Sequence, residues 1–203
     1  MPSRLEWSER TLDDCDYPWY GTASSADTLQ QGDFIERCPL VTPIVSPENE
    51  ITKESNIEVR IRRYNVIVLS QSCDIQFKKI DSVVLCPQVP LTTFQDANPY
   101  FRGEDGFEEL KNGHTVGFHL LNKSSIIGFE RSAMVVSFRN VRSVDFDWIT
   151  ASIKQRGKRL RLLPPYREHL SQAFARFFMR VGLPTDIAFD KPPYKSKTKA
   201  NRV

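Results

Sequence analysis

Ser70-Gln71-Ser72-Cys73-Asp74 is the string in this chain whose residue types most invite chemistry. It follows an apolar run, Val66-Ile67-Val68-Leu69, where a strand would emerge from a core. Loops at strand ends often carry function, because the rigid strand fixes them. Cys73 would be a nucleophile if a base lowered its pKa. His114 and His119, further along the chain, are the bases on offer. The ordinary alternative is that Ser and Asp side chains supply turn hydrogen bonds as the strand ends. A structural or binding role for Ser72, Cys73 and Asp74 is the simpler expectation.

A second kind of chemistry is charge. Arg60, Arg62 and Arg63 lie on the wet face and exit of one strand candidate. Lys154, Arg156, Lys158, Arg159 and Arg161 form another cluster around Gly157. Such cations could follow a phosphate backbone. Aromatics that would stack bases are not interleaved with them. Pairing of Arg60 and Arg62 with the acidic half of the chain is the competing reading. Three scattered histidines, His114, His119 and His169, lack the Cys or carboxylate spacing of a metal site, so no metal is expected. No cofactor is expected either: there is no Gly-rich phosphate loop, no G-x-S-x-G and no H-E-x-x-H.

The elements that must position these residues read mostly as strands. Ile57, Val59 and Ile61 alternate with Glu58, Arg60 and Arg62, the period of a half-buried strand. Val66–Leu69 is apolar on both faces and fits a buried central strand. Ser82–Cys86 is similar and should end at Pro87, with 75–81 as a hairpin-like connection. Residues 39–56, with Pro39, Pro43 and Pro47, read as a loop. Residues 91–113 read as a polar excursion with one short helix near Phe107–Lys111. His114–Leu121, Ser125–Phe129 and Ala133–Phe138 are further strand candidates, and Leu160–Leu163 reads as a returning one. Asp145 is placed to cap a helix through Trp148, Ile149 and Ile153. After Pro164-Pro165, residues Tyr166, Leu170, Phe174, Phe177, Phe178 and Val181 repeat at helical spacing, and Gly182 and Pro184 stop the helix.

The totals bound the answer. A length of 203 residues suits one domain that can bury a core without disulfides. The division expected is a polar arm over 1–28, a body over 29–190 with an insertion at 88–113, and a basic, disordered tail over 191–203. The arm's Trp7, Trp19 and Tyr20 should pack on the body or on a partner. No apolar run approaches a membrane span of about 18 residues, and no leader-like stretch opens the chain, so no membrane contact and a cytoplasmic setting are expected. Cys15, Cys38, Cys73 and Cys86 are spaced 23, 35 and 13 residues apart and read as reduced thiols. The net charge of +3 conceals a split. Residues 154–203 carry 13 basic and 3 acidic side chains, +10, and the rest carries −7. Such asymmetry suits a nucleic-acid or acidic-partner surface, or a solvated helix face with a lysine tail.

One order of features resembles a known family. Gly32-Asp33-Phe34-Ile35 enters a first strand. Arg62-Arg63-Tyr64-Asn65 then leads to Val66–Leu69 and Ser70, and Val83-Val84-Leu85-Cys86-Pro87 follows. Over residues 30–90 this resembles the MazF/PemK-like toxin fold, and it continues loosely to the last helix. The resemblance implies α+β architecture: an SH3-like antiparallel β-barrel with a C-terminal amphipathic helix. It implies a metal-independent RNA-cleaving toxin that forms a homodimer. The chemistry would use an Arg at the strand start and a Ser or Thr after the second strand, which points to Arg63, Ser70 and Thr92. The sequence departs there. Tyr64 stands where the family's Arg would be, and Val89 stands near its Thr, with Thr92 and Thr93 further on. The enlarged barrel with a basic extension is similar to elaborated, CalpT-type subunits of bacterial defence operons. That likeness implies a regulatory or toxin module whose partner is RNA or a protein: an antitoxin, a sigma factor or a protease. RNA or partner contacts would fall to Arg60, Arg62, Lys158, Arg159, Arg161, Ser72, Cys73 and Asp74.

Overall fold

The computed structural model describes residues 17–44 and 58–179. The architecture is α+β. In chain order it has β1 (Tyr20–Ala23), β2 (Phe34–Ile44), β3 (Glu58–Val68), α1 (Ser72–Gln76), β4 (Ser82–Pro90) and α2 (Leu91–Ala97). A 3-10 turn (Pro99–Arg102) leads to α3 (Glu104–Lys111), β5 (Phe118–Leu121) and β6 (Met134–Ser137). After a second 3-10 turn come β7 (Arg142–Asp145), α4 (Phe146–Gln155), β8 (Arg159–Leu162) and α5 (Tyr166–Phe178).

β4 is the trunk of the main sheet, whose order is β2-β3-β4-β6-β5. Its first half, Ser82–Leu85, pairs with β7, and its second half, Gln88–Pro90, pairs with β6. Its other edge takes β3 through Val66–Val68. β1 and β8 form a separate ribbon, joined to the start of β2 by one bridge, Asp33–Arg161. The pairs are antiparallel, as expected, but the sheet does not close into a barrel. No ladder joins β1 to β5; they are tied by a side chain, with Tyr20 Oη donating to Asn122 O at 2.6 Å. The strands on the open side are four residues long, about 13 Å, too short to build the staggered ladder that closure needs.

Both faces of the sheet are covered, which explains the unbroken apolar run in β3. Val66 and Val68 face α4 and α1, beside Val83, Leu85, Ile149 and Ile75. Ile67 and Leu69 face the other way, against Phe34, Cys86, Val136, Leu160, Leu162 and Leu170 of α5. Each fully buried aliphatic side chain stabilises by about 2 kcal/mol. Asp145 caps α4 as anticipated: its Oδ1 accepts from Trp148 N at 2.8 Å. Trp19 stacks on Tyr166 of α5, ring centroids 3.7 Å apart, so this part of the N-terminal segment packs on the protein's own body. Trp7, Cys15, Val181, Gly182 and the basic tail lie outside the described residues.

Several local expectations are corrected. The proline-bearing start of the loop is strand: Pro39 and Pro43 sit in β2, opposite Arg63 and Val59. An edge strand tolerates proline where the missing N–H would face solvent. The expected 75–81 connection begins inside a short helix, α1, which ends at Gln76, and β4 continues past Pro87 to Pro90. The excursion holds two helices and a 3-10 turn over a third cluster, Phe94, Phe101, Leu110, Phe118 and Val135. Residues 125–129 form no strand; Gly128 turns there with φ +82°. The 114–121 candidate is strand only over β5, because Gly117 at φ +105° breaks its start. Phe178 is 61% exposed, so the buried stripe of α5 is Tyr166, Leu170, Phe174 and Phe177.

Candidate functional site

The Ser70–Asp74 loop is fastened at both ends by its own side chains. Val84 N donates to Ser70 Oγ at 2.8 Å, and Gln31 N donates to Ser72 Oγ at 3.1 Å. Gln71 Nε2 donates to Ser171 Oγ of α5 at 3.0 Å. Cys73 is exposed at the start of α1, its Sγ 3.7 Å from Asp74 Oδ1. A shallow cavity of about 310 Å³ borders it, lined by Gln31, Arg167, Glu168 and Ser171 among others. Neither His114 nor His119 lines that cavity, so it offers the thiol no imidazole. Cys38 and Cys86 are buried free thiols, and burial pushes Cys86 up to about 12. Such thiols stay protonated and unreactive.

His119 is half-buried, its ring 6.4 Å from that of Phe138. Burial, with smaller contributions from His169 and Arg176, pulls its pKa down to about 4. It is neutral at physiological pH and packs as a core side chain.

Two of the expected phosphate-binding cations are structural. Asp33 is fully buried, and Arg159 Nε donates to its Oδ2 at 2.6 Å. Arg161 Nη2 donates to the same oxygen at 2.9 Å, and Arg161 Nε donates to Oδ1. Arg159 also donates to Ser24 O, Asp27 O and Thr28 O. Gly32 sits beside this clamp at φ +84°, where a Cβ would stand 3.0 Å from Leu162 Cβ. The Gly-Asp pair is therefore needed here for tight backbone approach and for a double guanidinium clamp. Lys158, one residue away, is exposed.

Arg60, Arg62 and Arg63 are exposed on the projecting part of the β2–β3 hairpin, opposite Thr42, Leu40 and Pro39. Among the described residues no ion pair engages them. Alternation puts Arg63 on the face opposite Tyr64. Seven residues of largely extended chain separate Arg63 from Ser70, about 20 Å, so the two do not share a site. Thr92 is exposed on α2.

A groove of about 460 Å³ does bring polar and aromatic groups together. Tyr64 and Val89 line it, with Thr93, Phe94 and Asn98 from α2 and the turn after it. Phe118 forms part of its wall, Arg139 and Asn140 come from the turn between β6 and β7, and Arg142 opens β7. Arg139 lies over the Phe118 ring, 4.6 Å from its centroid. Among the described residues no acid balances Arg139 or Arg142. No histidine or carboxylate lines the groove. Sequence reading missed this site because Arg139 and Arg142 stand apart from the dense basic runs. The one available signal was Tyr64 and Thr93 falling near the positions that the toxin-fold resemblance assigns to its Arg and Thr.

An adjoining apolar groove of similar size shares Arg142 and is lined by Val41, Ile61, Val144 and Trp148. Val41 and Ile61 are each 60% exposed. Among the described residues no group of His, Cys, Asp or Glu could hold a metal ion, and no helix is long and apolar enough to cross a membrane. No protein-family model matches the chain, and no curated protein matches its sequence.

Proposed function

We propose that this protein is a MazF-like regulatory or toxin module of a bacterial stress or phage-defence system that acts mainly by binding, and that the Tyr64–Arg142 groove takes a single-stranded RNA segment. The carrying observation is the pairing of two unneutralised arginines with an aromatic wall and two amides in one groove. Single-stranded RNA is held by that mixture: cations on phosphates, rings stacked on bases, amides on base edges. The strand order over residues 30–90 and the basic last third support the family side of the reading.

The same groove supports binding over cleavage. Metal-independent RNA cleavage benefits from a general base and acid within hydrogen-bond reach of the reacting hydroxyl, and neither histidine nor carboxylate lines it. The alternative, a metal-independent endoribonuclease, rests on Thr93 sharing the groove with Arg139 and Arg142, which could stabilise a pentacovalent phosphorus.

Fluorescence anisotropy with labelled single-stranded RNA in EDTA tests the proposal. The expected result is binding of intact RNA, weakened at least tenfold by Arg139→Ala combined with Arg142→Ala. Discrete cleavage products that vanish with Thr93→Ala or with Arg139→Ala/Arg142→Ala would promote the nuclease. No binding to RNA, with a partner protein retained through the Val41–Ile61 groove, would move the function to protein recognition.

A further inference from the structure

A separate cavity of about 260 Å³ shares no lining residue with the RNA groove. It lies between the start of β2, the turn at Gly128–Arg131, the end of α4 and the start of β8. Phe129, Ile153 and Leu160 give it an apolar side. Arg131, Arg156 and Lys158 give it a basic one, against a single carboxylate, Glu36. Arg159 also reaches it, but its charge is matched by Asp33. Setting that pair aside leaves a local excess of +2.

Arg131 is the fixed member of the set. Its side chain is only 12% exposed, and its guanidinium lies over the Phe34 ring at 4.9 Å. Nη2 donates to Glu36 Oε1 at 2.7 Å, while among the described residues the buried Nε–H has no acceptor. A guanidinium offers Nε and Nη2 as a fork for two oxygens, and here one prong is used. Glu36 is the loose member, 62% exposed, so swinging its carboxylate into water costs little. Arg156 is tied to Glu36 O and Ser152 Oγ. Among the described residues nothing engages Lys158. Gly128 and Gly157 border the cavity, with nothing within 4 Å of where a Cβ would stand.

We propose that this cavity binds a phosphorylated ligand of mononucleotide size. The phosphate replaces the Glu36 carboxylate and takes Arg131 Nε and Nη2 as a fork. Lys158 supplies the second cation, and the organic part lies against Phe129. The volume falls just below the range of about 300–1,000 Å³ typical of drug-sized ligands, which suits one nucleotide and excludes a longer strand.

Calorimetric titration of the full chain with AMP, inorganic phosphate and adenosine tests this. AMP is expected to bind, phosphate about tenfold more weakly, and adenosine not at all. Glu36→Gln should tighten AMP several-fold by removing the competing anion, a gain that misfolding cannot produce. Lys158→Ala should weaken AMP about three- to tenfold, and Arg131→Gln should abolish binding. The proposal is overturned if AMP at millimolar concentration binds neither the natural chain nor Glu36→Gln. Adenosine binding as tightly as AMP overturns the anion fork, and phosphate binding as tightly as AMP overturns the mononucleotide size. An AMP signal lost in Arg139→Ala/Arg142→Ala but unchanged in Glu36→Gln places the ligand in the RNA groove and overturns the separate site.

Discussion

Two pairs of arginines in this protein look alike as letters and differ in everything else. Arg159 and Arg161 close on Asp33, fully buried, and their remaining donors reach backbone carbonyls. Arg139 and Arg142 are exposed on a groove and, among the described residues, meet no carboxylate. The first pair holds the β1–β8 ribbon to the main sheet. The second is left with charge to offer. What separates them is a counter-ion 126 residues away in the chain.

The contrast can be broken most forcefully at its buried end. Asp33→Ala leaves two guanidinium groups without their charge partner, one of them buried, and should cost about 3–5 kcal/mol of stability, read as a shift in urea midpoint. A change below 1 kcal/mol would mean the clamp is ornamental. His119 supplies the opposite case, a half-buried ionisable group facing cations rather than an anion. Its folded pKa of about 4 lies below the usual 6.5, so the unfolded chain binds the proton more readily. Stability is therefore complete above pH 6.5 and falls as pH drops toward 4, by on the order of 3 kcal/mol. Thermal denaturation across that window should show the fall, and His119→Leu should flatten it. Gln88 sharpens the comparison from the side of neutral groups. It is 3% exposed, and among the described residues neither amide atom has a partner. Gln88→Leu should raise stability by about 1–2 kcal/mol, measured by calorimetry; a loss would reveal a polar partner. The smallest effect on folding belongs to the groove. Arg142→Ala should change stability by less than about 0.5 kcal/mol, yet lower RNA affinity about tenfold and flatten its salt dependence by about one phosphate contact.

The sequence disclosed what is local. The apolar run Val66–Leu69 announced a strand covered on both faces, because only such a strand needs no polar side. Asp145 announced a helix start because its cap is three residues away. What stayed hidden depends on distant partners. Arg159 and Arg161 read as a nucleic-acid patch until Asp33 appeared beside them. The groove joins Tyr64, Asn98, Phe118 and Arg142, residues from four segments that no spacing rule connects. The closed barrel failed for a related reason, since the start of β5 is set by Gly117 at its positive φ rather than by the apolar pattern that begins earlier.

The prolines of β2 have a consequence beyond the sheet itself. In an antiparallel pair every second residue points its N–H away from the partner. Along the free edge of β2 those positions are 39, 41 and 43, and two of the three are Pro39 and Pro43. The carbonyls there remain, but Val41 supplies the one N–H among the three, too few donors for a passing strand to build a ladder. A hairpin that projects with Val41 and Ile61 bare would otherwise invite edge-to-edge growth into fibres. Any copy or partner that settles on this arm must take it by its face, through side chains, and so must recognise it rather than merely extend it.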